Sequence, residues 1–139
     1  MTSKPFILKG ILISGLGEGQ FYMKKKEYKK AFKEALNYNP WPGTFNIKLG
    51  LPIPQEVLKN TSHISIKGFE EKGKIFGNVK CYPCKIKKEG IQNLTTHLVV
   101  PEKTRHERDI IELISPVYLR EFLNIKEGNN VVLSLKVKK

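Results

Sequence analysis

Apolar and polar positions follow two different periods along this chain. Residues 6–14 (FILKGILIS) are apolar and branched, which predicts a strand with a bulge at Gly10. The glycine-rich segment 15–19 follows, and Phe21-Tyr22-Met23 predicts a short strand after it. Between 25 and 38 the apolar side chains fall at Tyr28, Ala31, Phe32, Ala35 and Leu36. That spacing predicts an amphipathic helix with a lysine-rich outer face, ended by Asn37 and Asn39-Pro40. At 44–49 the period returns to two, with Phe45, Ile47 and Leu49 on one face of a half-buried strand.

Leu51-Pro52-Ile53-Pro54 reads as an extended connection. Two strands are predicted at 62–68 and 74–88 around a turn at Glu71-Lys72-Gly73, and another at 91–100. The polar stretch 101–108 (PEKTRHER) is a loop, and 109–115 (DIIELIS) is a strand. Pro116 is expected in the first turn of a short helix, VYLREFL. A turn at 126–130 leads into a closing strand at 131–137. Many short strands around one small core predict a mostly β barrel with one long and one short helix.

Length and composition narrow the class. At 139 residues, without repeats or a linker, the chain reads as one domain, 1–139. Its apolar runs reach about three residues, far short of the ~20 a membrane helix needs. The N-terminal segment lacks the apolar stretch of a signal peptide, so a cytoplasmic protein with no membrane partner is expected. Lysine and arginine number 25 against 13 acidic residues, a net charge of +12. The excess favours anionic partners, whether nucleic acid, phosphate ligands or acidic membrane surfaces, or else simply solvates a lysine-rich surface. The aromatic residues are not interleaved with the basic runs as a stacking platform requires, so nucleic acid is the less favoured partner.

Four clusters carry candidate chemistry. Gly15, Gly17 and Gly19 alternate, which lets backbone amides approach an anion. They also suit a plain hairpin turn, and the segment lacks both the P-loop ending and the helix of a dinucleotide fingerprint. Thr44 and Asn46 lie two apart on a strand and share one face. Two neutral oxygen ligands there suit a hard cation that already carries phosphate oxygens, or a polar solvent face. Cys81 and Cys84 form a C-x-x-C pair with no second pair to complete a zinc site, so buried reduced thiols are expected. Glu112 interrupts the apolar run IIELI and faces either a pocket or solvent.

Taken in order, these motifs resemble one family. SGLGEGQF at 14–21, PGTFN at 42–46 and FGNVKCYPCKI at 76–86 come in sequence, followed by VVPEKTRHERDIIELISP at 99–116 and YLREFLNIKEGNNV at 118–131. Together they resemble the archaeal CTP-dependent riboflavin kinases over nearly the whole chain. The resemblance implies a small closed cradle-loop (RIFT-like) barrel of six strands. It leaves no part of the chain for the helix-turn-helix domain that some members carry in front.

The resemblance also implies transfer of the γ-phosphate of CTP to the 5′-hydroxyl of riboflavin, giving CDP and FMN, with Mg²⁺; a monomer is expected. By position, Gly15, Leu16, Gly17, Glu18, Gly19 and Gln20 would wrap the nucleotide phosphates, and Val117, Tyr118, Leu119 and Arg120 its cytidine end. Thr44 and Asn46 would hold Mg²⁺. Thr104 and Glu112 would contact the flavin, and Glu112 is the candidate base or orienter of the hydroxyl. Gln20 stands where a basic residue is expected, and Cys81 and Cys84 stand where aliphatics are usual. Two other readings are a flavin- or nucleotide-binding regulatory domain without turnover and a basic nucleic-acid-binding module.

Overall fold

The computed structural model describes residues 3–14, 25–91, 94–102 and 109–138. Among the described residues, nine strands and three helices lie in this order: β1 (Ser3–Ile13), α1 (Lys26–Leu36), β2 (Phe45–Leu49), α2 (Gln55–Lys59), β3 (Ile64–Ile66), β4 (Phe69–Glu71), β5 (Lys74–Phe76), β6 (Val79–Ile86), β7 (Thr96–Pro101), β8 (Ile110–Ile114), α3 (Leu119–Phe122) and β9 (Asn130–Lys138). Six of the strands close an antiparallel barrel in the order β6-β7-β8-β2-β1-β9, with β9 pairing back onto β6. One edge of β6 serves two partners. Its residues 79–81 pair with β3, and Cys84–Ile86 pair with β9. Pro83, which has no N–H to give, falls in the gap between the two pairings.

Two apolar clusters account for the sequence pattern. Inward residues such as Leu12, Ile47, Leu98, Leu113 and Leu133 fill the barrel. A second cluster lies outside it, where Tyr28 and Phe32 of α1 pack on Val79, Cys81, Val99 and Ile114. The predicted helix therefore uses the expected face, while Lys26, Lys29, Lys30 and Lys33 stay exposed. Asn37 ends α1 in the left-handed region and donates its N–H to the Lys33 carbonyl. Because α1 covers the outer face there, residues 96–99 of β7 are buried without alternation.

Several local expectations are corrected. Gly10 is not a bulge: the β1–β9 register runs unbroken from Ser3 to Ile11. Its missing Cβ instead permits close strand approach, since a Cβ there would collide with the Lys48 carbonyl of β2. The two strands expected at 62–68 and 74–88 are four, β3 to β6, interrupted at Lys67-Gly68 and Gly77-Asn78. Where a strand is expected at 91–100, β7 spans Thr96–Pro101. Pro116 precedes α3 by three residues, with Tyr118 as the N-cap, so it lies outside the first turn. Helix α2 was not expected. The strand expected at 21–23 lies outside the described residues. Among the described residues, no helix is long and apolar enough to cross a membrane.

Candidate active site

Strand pairing brings the polar residues of two distant segments together. β2 and β8 are antiparallel neighbours, and their register sets Asn46 directly opposite Glu112. Thr44 lies two residues before Asn46 and therefore on the same face. Its Oγ1 lies 2.9 Å from Asn46 Oδ1 and 3.2 Å from Glu112 Oε1. The hydroxyl has one hydrogen to donate and two acceptors to serve. Three oxygens thus converge around the Thr44 hydroxyl hydrogen. Asn46 and Glu112 are only 3% and 4% exposed. A carboxylate at that depth is costly unless neighbours hydrogen-bond or neutralise it, and the Thr44 hydroxyl provides one such contact.

Thr44 also lines a surface cleft with Trp41, Gly43, Ser115, Tyr118 and Arg120. Backbone bonding joins the two sides of this cleft, because Trp41 N–H donates to the Ser115 carbonyl at 2.8 Å. The Trp41 and Tyr118 rings stack at 4.2 Å between centroids, with 18° between their planes. Gly43 sits between Trp41 and Thr44 with φ +145°, and a Cβ there would stand 2.9 Å from the Trp41 ring. Arg120 reaches across to β1, donating to the Ile13 carbonyl at 3.0 Å. Ile13 is in turn the β1 partner of Asn46. The cleft is therefore bordered by an oxygen-rich patch, a stacked aromatic pair and an arginine.

A family model named CTP-dep_RFKase, described as a domain of unknown function (DUF120), matches residues 12–135. The chain belongs to this family. The riboflavin kinase of Methanoregula boonei is 41% identical over 128 residues, covering 91% of this chain and 55% of its own length. The riboflavin kinase of Methanosarcina barkeri is 38% identical over 131 residues, 93% of this chain and 56% of that one. That of Ignicoccus hospitalis is 40% identical over 133 residues, 94% and 72% respectively. The chain spans about half the length of the first two relatives.

The segments expected to carry function in the CTP-dep_RFKase family are partly united by the fold. Thr44, Asn46 and Glu112 meet, and Val117 to Arg120 line the adjoining cleft. Within that stretch Leu119 turns its side chain into the barrel core, leaving Tyr118 and Arg120 as the polar groups facing the cleft. Gly15, Leu16, Gly17, Glu18, Gly19, Gln20 and Thr104 lie outside the described residues. The two cysteines do not converge. Three residues apart on β6, they point to opposite faces, Cys81 under α1 and Cys84 into the barrel. Both are free, and burial pushes their thiols up to about 12 and about 11.

Trp41 was missed as a candidate. It is the chain's one tryptophan, it adjoins the PGT motif, and it is 39% exposed. A lone tryptophan between two prolines, next to a glycine turn, was the available signal. Among the described residues, no three His, Cys, Asp or Glu side chains gather into a metal cage. The donor set fits a hard cation in another way. Two neutral oxygens and one carboxylate oxygen suit an ion whose remaining ligands come from phosphate and water.

Proposed function

We propose that this chain is a riboflavin kinase that moves the γ-phosphoryl group of CTP to the ribityl 5′-hydroxyl of riboflavin, in the cytoplasm and as a monomer. The observation that carries the reading is the convergence of Thr44, Asn46 and Glu112 beside the Tyr118–Arg120 cleft. The family name supports CTP as donor, and the names of the relatives support riboflavin as acceptor.

In this reading Thr44 and Asn46 hold Mg²⁺. When bound there, the ion neutralises charge on the triphosphate and on the transferring group. Backbone amides of 15–20 cradle the phosphates, and Arg120 with Tyr118 borders the cytidine end. Thr104 and Glu112 hold the flavin. Glu112 orients the 5′-hydroxyl and accepts its proton as the oxygen bonds to Pγ, while the bond from Pγ to the CDP oxygen breaks. Phosphoryl transfer asks the protein mainly for positioning and charge stabilisation, which is what a rigid oxygen cluster beside an arginine provides.

The test is incubation of the protein with riboflavin, Mg²⁺ and each of the four nucleoside triphosphates. FMN is expected with CTP, and no FMN with any of the four would end the kinase reading. FMN with another triphosphate in preference would remove only the CTP assignment. For Glu112, single-turnover rates of Glu112→Gln decide its role. A chemical step slowed about 100-fold supports proton transfer, whereas near-normal chemistry with weakened flavin binding leaves it a binding residue only.

A further inference from the structure

The cleft has two walls from distant parts of the chain: Gly43 and Thr44 at the start of β2, and Tyr118 to Arg120 at the start of α3. Both meet at the end of β1. On one side Ile13 pairs with Asn46. On the other, Arg120 donates to the Ile13 carbonyl, and Glu127 accepts from the next residue twice. Its Oε1 takes the Ser14 N–H at 3.0 Å and the Ser14 hydroxyl at 2.6 Å.

The turn that carries Glu127 is itself fixed. Lys126 N–H donates to Asn129 Oδ1 at 2.7 Å. Gly128 N–H donates to the Leu12 carbonyl, and Leu12 N–H donates to the Asn129 carbonyl. The Ser14 hydroxyl, then its amide, and further the nearby Arg120 charge hold the Glu127 carboxyl below its ordinary range. Glu127 is fully exposed, so it contributes nothing to either apolar cluster. What it does is bind the end of one strand beside the arginine that borders the cleft.

We propose that Glu127 is a positioning residue for phosphoryl transfer. Through Ser14, and beside Arg120, it fixes the spacing between the Tyr118–Arg120 wall and the Thr44–Asn46 wall. The proposal rests on the kinase reading above. Two bonds from one carboxylate to one residue define both distance and direction, which a surface ion pair does not.

The experiment measures KM for CTP and for riboflavin in Glu127→Ala, Glu127→Gln and Ser14→Ala, with melting temperatures alongside. Glu127→Ala should raise the CTP KM about tenfold, the loss expected for hydrogen bonds to a charged group. The riboflavin KM should stay at its wild-type value, with only a small fall in melting temperature. Glu127→Gln keeps an acceptor oxygen and should recover most of the CTP KM, and Ser14→Ala should show a smaller rise than Glu127→Ala. A wild-type CTP KM in Glu127→Ala overturns the proposal. So does an equal rise in both KM values, a Gln variant no better than the Ala variant, or a lower melting temperature with the CTP KM unmoved. A wild-type protein that makes no FMN removes the kinase reading and this proposal with it. Normal wild-type turnover with an unaffected Glu127→Ala removes the proposal alone.

Discussion

Thr44-x-Asn46 and Cys81-x-x-Cys84 are both short polar spacings in one barrel, yet only the first brings its side chains together. A strand alternates faces at every residue, so an even separation places two side chains together and an odd separation places them apart. Thr44 and Asn46 share a face and meet Glu112 from the neighbouring strand. Cys81 and Cys84 are split between the layer under α1 and the barrel interior. The parity of a spacing, read together with the element that carries it, decides whether a motif can act as one unit.

The largest effect should come from breaking the converging pair. Asn46→Ala removes one of the three oxygens and is expected to lower FMN formation about 100-fold, measured at saturating CTP and riboflavin. Thr44→Val combined with Asn46→Ala should cost little more than the worse single change, because groups that act as one unit are not additive. Independent, multiplying losses would show that the two act separately.

A change that leaves the oxygens in place should cost less. Gly43→Ala strains a left-handed position and presses on the Trp41 ring. The expected loss is about 1–2 kcal/mol of stability, seen in chemical denaturation together with a shift in Trp41 fluorescence. Unchanged fluorescence would mean that the ring does not lean on Gly43.

The separated pair sharpens the contrast at the small end. Cys81→Ala should cost about 1 kcal/mol of stability and leave FMN formation at the wild-type rate. The Cys81 thiol is raised by burial from 9.0 to about 12, so the folded protein keeps a proton that the unfolded chain releases. Its stabilising contribution is complete below pH 9 and fades as pH rises toward 12. Denaturation midpoints across that alkaline window should therefore fall less steeply in Cys81→Ala than in wild type. Parallel slopes would mean that this thiol does not set the alkaline limit.

Much of the fold was legible from sequence because its elements obey simple periods. Helix α1 shows a 3.6-residue stripe, β2 alternates apolar and polar residue types, and β6 alternates from Tyr82 to Ile86. Helix α2 was hidden because five residues show too little periodicity and Pro54 supplies no side-chain cap. The pairing of Thr44 with Asn46 could be read from spacing. Which way Glu112 faces could not, because β8 is buried on both sides and its register against β2 joins positions 66 residues apart. The split of the cysteines was readable from their odd spacing once β6 was accepted as a strand. The stacking of Trp41 on Tyr118 depends on how two loops meet, which no local pattern encodes.

The first strand and the last are partners across nine residue pairs, from Ser3–Lys138 to Ile11–Asn130. This ties completion of the barrel to the timing of synthesis. The backbone bonds of α1 are local, but one edge of β1 has no partner until residues 130–138 are made. A nascent chain stopped short of that point carries an open sheet with β1 at its bare edge. The interval between the birth of β1 and the birth of β9 is thus the period when this protein is most exposed to joining the wrong strand.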